Sequence, residues 1–260
     1  MGRMAEFECT TWPERHEGNR PKTNQKSRMQ TGRQRVVVWG AGGHGKVVVD
    51  ALLAAAEYDV IGIVDDDPGK TGAMILGVRV LDFSDGLAEL VRRTEFDCMI
   101  VGIGDNYIRA EKFQEFLDLG VKPVTVVHPA AHVSRFAKLG QGVVVMAGAV
   151  INPGTVVEDN AVVNTSASVD HDNRLEYSCH VLPNATLAGG VRIGEYAYVG
   201  SGAVVIPNVT VHKYSYLGAG AVAIKDVPEG VVSAGNPAAQ IRLQEKRPNQ
   251  QKWTQCLSKR

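Results

Sequence analysis

A strict six-residue period organises the chain from Val133 to Val227. Counting in sixes from Val133 to Ala223 meets only aliphatic residues, without an insertion, and the position four residues after each is nearly always small or β-branched. An amphipathic helix would repeat near 3.6 residues and a half-buried strand at 2. A period of six, with one large and one small inward residue, predicts a parallel β-helix whose stacked coils share one apolar column.

A different pattern precedes the repeat. The apolar run 36–39 predicts a buried strand, residues 46–56 a helix and residues 60–64 a second strand, with the glycine-rich segment Gly40–Gly45 after the first strand. This G-x-G-x-x-G spacing lets a backbone approach a phosphate at a helix N-terminus, and an acidic residue about twenty positions on usually contacts ribose. Asp65 and Asp66 stand there. The alternative is a tight turn beside a helix-capping aspartate cluster.

The alternation of strands and helices continues to residue 127. Strands near 78–80, 98–103 and 124–127 and helices over 87–94 and 108–119 predict a parallel sheet with helices on its faces. Such a sheet has about half the strands of a full dinucleotide domain, so a mononucleotide suits it better than NAD. We therefore expect four segments: a disordered extension 1–34, a Rossmann-like nucleotide-binding domain 35–128, the β-helix 129–241 and a polar basic tail 242–260.

Composition excludes several other classes of protein. No apolar run reaches 18 residues, and the N-terminus carries no hydrophobic signal segment, so we expect no membrane span and no secretion. The four cysteines lack C-x-x-C spacing, which suits the cytoplasm and argues against a cysteine zinc site. Both ends of the chain are basic, but no nucleic-acid motif accompanies them, so solvated tails are the simpler interpretation and we expect no nucleic-acid partner.

Several motifs together resemble the PglD/NeuD family of hexapeptide-repeat sugar acetyltransferases. They are the glycine loop with His44, the segment Val169-Asp170-His171-Asp172 inside the repeat, and Gly235-Asn236-Pro237-Ala238 after it. The resemblance covers residues 35–242. It implies a left-handed β-helix with three hexads per coil, a homotrimer, and acetyl transfer from acetyl-CoA to the amine of a nucleotide-linked amino sugar, with UDP the expected nucleotide.

His171 is the predicted general base. It lies outside both inward lanes, so its side chain should project from the surface of the β-helix. Neutral imidazole can accept the proton that an attacking amine loses, and a neighbouring carboxylate such as Asp172 fixes the ring tautomer. Family members often carry Glu at the position of Asp172, and the shorter side chain changes that contact. Cys179 occupies the small inward lane, and we interpret it as core and not as a nucleophile.

The resemblance implies two sets of binding residues. His180, which could polarise the thioester carbonyl or line the pocket, belongs to the acetyl-CoA set; so does Gly189, expected beside His171, eighteen residues on. The complete acetyl-CoA set is His180, Gly189, Ser201 and Ala219. The nucleotide-sugar set is Gly42, Gly43, His44, Asp65, Asp66 and Gly104. Asn106 and Arg109 could contribute there, or could simply cap and charge-balance the following helix.

Three alternatives remain at this stage. A zinc enzyme of the γ-carbonic-anhydrase type needs three histidines around one ion, and His171, His180 and His212 do not fall at such a spacing, so we expect no metal. O-acetylation of a sugar such as sialic acid would use the same base. A non-catalytic nucleotide-sugar-binding protein would not require the intact His171-Asp172 pair.

Overall fold

The computed structural model describes residues 32–94 and 96–244. The extension predicted over 1–34 and the tail predicted over 242–260 lie almost entirely outside these ranges. Among the described residues, no helix combines the length and apolar character that a membrane crossing requires.

The first part of the described chain alternates strands and helices, as predicted. Its elements are β1 Gln34–Trp39, α1 Gly43–Ala54, β2 Tyr58–Val64, a 3-10 turn Pro68–Lys70, β3 Met74–Ile75, β4 Val78–Arg79, α2 Leu87–Arg93, β5 Cys98–Val101 and α3 Asn106–Asp118. Strands β2, β1 and β5 form a parallel sheet in that order, with β1 central. The β1 register shifts between Val36 and Val37. Residues of α1 pack on one face of the sheet and residues of α2 and α3 on the other.

The rest of the described chain is a β-solenoid of very short strands. They are β6 Val126–Val127, β7 His132–Val133, β8 Lys138–Leu139, β9 Val144–Val145, β10 Val150–Ile151, β11 Val156–Val157, β12 Val162–Val163, β13 Ser168–Val169, β14 Arg174–Leu175, β15 His180–Val181, β16 Thr186–Leu187, β17 Arg192–Ile193, β18 Tyr198–Val199, β19 Val204–Val205, β20 Thr210–Val211, β21 Tyr216–Leu217, β22 Val222–Ala223, β23 Val231–Ala234 and β24 Ala239–Leu243.

These strands form three parallel faces. The first face contains β7, β10, β13, β16, β19 and β22; the second contains β8, β11, β14, β17 and β20; the third contains the remaining strands, β6 to β24. From β6 to β19, each strand pairs in parallel with the strand eighteen residues on, as in Ser168 with Thr186. From Val143 to Val227, every inward position of both six-residue lanes is at most 6% exposed. The predicted β-helix and both inward lanes are therefore confirmed.

The N-terminal domain covers the third face of the solenoid. Outward residues Val144, Met146 and Val162 join the apolar cluster of the small sheet and α1, while Tyr177 and Tyr196 pack beneath α3. Tyr107 of α3 stacks on Tyr196 with ring centroids 5.2 Å apart. Each such buried side chain contributes roughly 1.5–3 kcal/mol to the folded state, so this contact holds the two parts together.

Two strands predicted for the parallel sheet pair elsewhere: β4 pairs antiparallel with β3, and β6 pairs with β9 of the solenoid. Several element boundaries also differ from the prediction by one to three residues, and two further differences concern the glycine loop and the end of the described chain. Helix α1 begins at Gly43, so Gly43, His44 and Gly45 belong to the first turn of the helix and do not form a separate turn before it. Strand β24 was not predicted, because residues 235–238 were interpreted as the last turn before a polar tail. It pairs antiparallel with β23, with all five residues exposed, and ends the third face with a strand of reversed direction.

Candidate active site

His171 lies at the corner between the first and second faces, just after β13. Its ring is exposed, and Nδ1 lies 2.8 Å from Oδ2 of Asp172. The backbone N–H of His171 donates to the carboxylate of Asp170 at 2.8 Å. A proton on Nδ1 directed at Asp172 leaves the lone pair of the neutral ring on Nε2, which can then accept a proton.

The two carboxylates also tune this imidazole. The hydrogen bond to Asp172 raises the pKa of His171 above its ordinary value, and the charge of Asp170 adds to the effect. The pKa of Asp170 is lowered, first by the amide of Asn152 and then by the N–H of His171. The corner therefore holds a histidine that is a stronger base than a free imidazole.

Glycines in the coils on either side make room for this pair. A Cβ at Gly189 would lie 2.6 Å from Nε2 of His171, and a Cβ at Gly154 would lie 2.2 Å from a carboxylate oxygen of Asp172. Gly189 thus lies beside His171, at the place that the eighteen-residue spacing predicts. The imidazole ring occupies the space next to it.

The other two residues of the acetyl-CoA set lie elsewhere. Ser201 and Ala219 are exposed at the corner between the third and first faces, in consecutive coils, and the Gly220 N–H donates to the Ser201 carbonyl at 2.9 Å. His171 and Gly189 lie at the opposite edge of the first face. Within one chain the structure does not bring these two pairs together.

The glycine loop separates into packed and open positions. A Cβ at Gly45 would lie 1.8 Å from the Gly40 carbonyl oxygen, and one at Gly102, after β5, would lie 2.7 Å from Cα of Gly45. At Gly42 and Gly43 nothing lies within 4 Å. The cap of α1, Gly42, offers no side-chain hydrogen bond, and the first turn has no acidic residue. The positive end of the helix is therefore open to an anion.

Asp65 and Asp66, at the end of β2, have different surroundings. The Asp65 carboxylate accepts the Ala41 N–H at 2.7 Å and binds Lys70 at 3.0 Å. Burial acts to raise the pKa of Asp65, but the hydrogen bonds from Ala41, Asp67 and Lys70 outweigh it and lower the pKa. Asp65 thus fixes the glycine loop. Asp66 is half exposed and lies 3.2 Å from Nζ of Lys112.

His44 and His180 meet where the two parts of the chain pack together, with ring centroids 5.5 Å apart. His180 is 2% exposed, and its ring nitrogens face the Gly104 carbonyl at 3.3 Å and the Asn164 amide at 3.0 Å. Burial, then the charge of Arg109, lowers the pKa of His44 to about 4, and the pKa of His180 also falls well below its ordinary value. Both rings are therefore neutral at pH 7. Nε2 of His44 is buried and has no hydrogen-bond partner.

Asn106 and Arg109 do much more than cap a helix. Both are fully buried. Arg109 donates to carbonyls of the β-helix at Asn160 (3.0 Å) and Ser178 (2.8 Å), and on its own side to the Asn106 side chain (2.7 Å) and the Gly104 carbonyl (3.4 Å). The role of this pair was left open by the sequence, because its partners are backbone atoms from distant corners.

Cys179 is fully buried, and burial raises the pKa of its thiol far above the ordinary value. It therefore stays protonated and belongs to the apolar column, as expected for its lane. Within residues 32–94 and 96–244, no group of three or more His, Cys, Asp or Glu side chains is arranged to hold a metal ion.

Taken together, a hexapeptide β-helix, an exposed His–Asp pair at a corner and an anion-ready glycine loop define an acyltransferase of the hexapeptide class. Comparison with known proteins agrees. Residues 35–116 match the model of the PglD N-terminal domain, and residues 191–223 match the bacterial transferase hexapeptide model.

Solved structures extend the match over most of the chain. PerB from Caulobacter crescentus, solved with CoA and GDP-perosamine, is 43% identical, with a TM-score of 0.75 over 79% of this chain and 96% of that one. The acetyltransferase domain of PglB from Neisseria gonorrhoeae FA1090, solved with acetyl coenzyme A, is 39% identical, with a TM-score of 0.75 over 81% and 100% of the two chains.

A curated relative agrees in sequence. The GDP-perosamine N-acetyltransferase of Escherichia coli O157:H7 is 28% identical over 213 residues, which are 79% of this chain and 95% of that enzyme. The chain belongs to the PglD-type family of hexapeptide-repeat sugar acetyltransferases.

Proposed function

We propose that this enzyme transfers the acetyl group of acetyl-CoA to the amine of a nucleotide-linked amino sugar, with His171 as general base. The observation that carries the proposal is the exposed His171–Asp172 pair, with Nδ1 of His171 2.8 Å from Oδ2 of Asp172. It is supported by the 43% identity of the chain to PerB, which was solved with CoA and a nucleotide amino sugar. In this proposal the predicted domains divide the work: residues 35–128 bind the nucleotide sugar and residues 129–241 carry out the transfer, although β6 already belongs to the third face of the solenoid.

In this mechanism the amine attacks the thioester carbonyl carbon directly. The C–N bond forms, the amine proton passes to Nε2 of His171, and the C–S bond breaks as the tetrahedral intermediate collapses. The proton then neutralises the departing CoA thiolate. Asp172 keeps Nδ1 protonated, so that Nε2 is the free base, and Asp170 stabilises the imidazolium that forms.

The nucleotide diphosphate would bind at the open N-terminus of α1. Gly42 and Gly43 leave the approach clear, and the backbone N–H groups with the helix dipole favour negative charge. His44, in the first turn of α1, would donate to the diphosphate, and Gly104 lies beside it, since a Cβ at Gly104 would be 3.8 Å from Cβ of His44. Asp65 acts through the loop that it holds, which leaves Asp66 as the more accessible carboxylate for the nucleoside.

We propose GDP as the nucleotide. The sequence alone led us to expect UDP, but two relatives that match over most of their length, in Caulobacter crescentus and Escherichia coli, are named for GDP-perosamine. A UDP-linked sugar is therefore the comparison substrate in the test.

We further propose a homotrimer in which acetyl-CoA lies between neighbouring columns. The outward strand residues of the first face are uncharged apart from His132 at its end: Val150, Ser168, Thr186, Val204 and Val222. The second face instead carries charge ladders such as Arg192 with Glu176. If first faces pack in a closed ring, His171 and Gly189 of one copy come near Ser201 and Ala219 of the next. His180 would complete this acetyl-CoA set from the buried side.

The proposal is tested by measuring thiol release from acetyl-CoA with GDP-perosamine, a UDP-linked 4-amino sugar and free sialic acid as acceptors. We expect release with the nucleotide amino sugars, greatest with the GDP-linked one, and an N-acetylated product by mass spectrometry. Release with sialic acid alone would indicate O-acetylation. Tight binding of nucleotide sugar without any release would indicate a non-catalytic binding protein.

A further inference from the structure

Most corners of the β-helix are closed by a backbone hydrogen bond. At the corner that precedes β13, the Ala167 N–H donates to the Asn164 carbonyl at 3.0 Å, and the residue between them, Ser166, has a φ of 56°. This is the bond of an ordinary β-turn. The same bond closes the equivalent corners of the neighbouring coils, at Ala149 to Met146 (3.1 Å), Ala185 to Leu182 (3.1 Å) and Ala203 to Gly200 (3.0 Å).

Along the edge that carries His171, the corners at residues 152–155, 170–173, 188–191 and 206–209 all lack this backbone bond, and at the His171 corner side chains take its place. The Asp170 carbonyl accepts from Nδ2 of Asn173 at 2.6 Å and from Oγ1 of Thr155 at 2.8 Å. The backbone N–H of Asn173 donates to Oγ1 of Thr155 at 3.3 Å, and the side-chain Oδ1 of Asn173 accepts the Val191 N–H at 2.7 Å. Three successive coils are thus joined by polar bonds beneath this corner.

These two residues occupy the small inward lane, which is otherwise mostly alanine and valine. Thr155 is 0% and Asn173 1% exposed, in consecutive coils on the edge of the column nearest His171. A polar group inside an apolar column is unfavourable unless it is hydrogen-bonded. Both are bonded, and both bind the carbonyl of the residue that immediately precedes His171.

The position of Asp170 determines the direction of His171. Its carbonyl is held from inside, and its carboxylate binds the His171 N–H at 2.8 Å and Nδ2 of Asn152 at 3.0 Å. Asp172 follows in a left-handed conformation, with a φ of 58°, that turns its carboxylate towards Nδ1 of His171. A tilt of this corner would redirect Nε2 and loosen the His–Asp contact.

We propose that Thr155 and Asn173 are positioning residues, which hold the His171 corner from within the column so that Nε2 points at the acceptor amine. The inference rests on the proposed acetyl transfer. It predicts an effect on the chemical step and not on substrate binding, because neither residue reaches the surface.

The test uses paired variants of the full chain. Thr155→Val keeps the shape of the side chain and removes its hydroxyl, whereas Thr155→Ser keeps the hydroxyl. We expect Thr155→Val and Asn173→Ala to lower kcat on the order of tenfold to a hundredfold with little change in either KM, since displacing a reacting group has effects of that size. Thr155→Ser should recover most of the rate.

Ser215→Ala is the matched control. Ser215 is also a buried inward polar residue whose hydroxyl donates to a corner carbonyl, that of His212, but a backbone bond closes that corner as well. The Ser215→Ala variant should leave kcat unchanged. Equal losses in Thr155→Val and Ser215→Ala, or no recovery in Thr155→Ser, would overturn the proposal.

An NMR titration of the His171 imidazole without substrates separates this inference from the proposed reaction. We expect the pKa of His171 to fall towards its ordinary value in Thr155→Val and to stay raised in Thr155→Ser. If wild-type protein transfers no acetyl group and this pattern is still seen, acetyl transfer fails and positioning stands. An unchanged pKa together with an unchanged kcat would refute positioning.

Discussion

Arg109, on α3, donates from Nε to the carbonyl of Asn160, on a corner of the β-helix, at 3.0 Å. With its two terminal nitrogens it also binds Ser178 and Cys179 of the next coil and the Gly104 loop. A planar guanidinium can satisfy several carbonyls at fixed angles, which the ammonium of lysine cannot. This one side chain therefore links the predicted nucleotide loop to the column that carries His171.

We expect Arg109→Lys to destabilise the protein by about 3 kcal/mol, because several buried carbonyls lose their donor at once. Denaturant unfolding measures this. Arg192→Lys, at an exposed pair with Glu176, is the control and should cost less than about 1 kcal/mol. Equal costs for the two variants would show that the buried network is not essential to the fold.

The sequence predicts the apolar column of the β-helix well, because the same requirement for an apolar inward residue recurs every six positions. Simple addition of eighteen residues also places Gly189 next to His171. The same arithmetic does not reveal which face the N-terminal domain covers. His180, which the resemblance places in the acetyl-CoA set, lies on that covered face and is buried against His44. Its role in acetyl-CoA binding stays a prediction.

The sequence left the role of Arg109 open for a different reason: its partners are mostly backbone carbonyls, which have no sequence signature. Thr155 and Asn173 did leave a signal, since they are polar in a lane of small apolar residues. That signal becomes interpretable only when their partner, the Asp170 carbonyl, is known.

The glycine loop offers a sharp contrast between neighbouring positions. Gly43→Trp should raise the KM for the nucleotide sugar and leave the KM for acetyl-CoA and the melting temperature unchanged, because its side chain would project into open space where the diphosphate binds. Gly45→Ala should instead lower the melting temperature, since its Cβ would overlap the Gly40 carbonyl. Steady-state kinetics and thermal melts check both. A collapse of acetyl-CoA affinity in Gly43→Trp would refute the assignment of this loop.

The lowered pKa of the partly buried His44 predicts that stability depends on pH. Its folded-state pKa of about 4 lies below the unfolded value of 6.5, so the unfolded chain binds the proton first as the pH falls. Stability should therefore be lost between pH 6.5 and pH 4, by up to about 3 kcal/mol from this group. His44→Gln should flatten that dependence in denaturant unfolding. An unaltered slope in His44→Gln would show that the ring is not held neutral.

The uncharged first face predicts the assembly. Wild-type protein should have the mass of a trimer by light scattering at micromolar concentration. Val204→Arg should give monomers, because it places an unpaired charge on that face, while Thr210→Arg on the charged second face should not. A monomeric wild-type protein would contradict both the trimer and the shared acetyl-CoA site.

The His171–Asp172 pair predicts the course of the reaction. His171→Ala should lower kcat about 10²–10⁴-fold, the usual contribution of a general base, with a much smaller effect on acetyl-CoA binding. Asp172→Ala should cost less, since it removes only the partner that orients the ring. Cys179→Ala should retain activity, and initial-rate kinetics should be sequential, because the amine attacks the thioester directly.

The general-base mechanism predicts the direction in which the rate changes with pH. The base acts when deprotonated, so the rate should rise with pH through the pKa of His171, which Asp172 and Asp170 hold above 6.5. Asp172→Asn removes the charged hydrogen-bond acceptor, so that limb should move to lower pH while the maximal rate falls. The acceptor amine titrates in the same direction, and a substrate whose amine has a different pKa distinguishes the two groups. An acetyl group trapped on Cys179, or a His171→Ala enzyme near full activity, would overturn this mechanism.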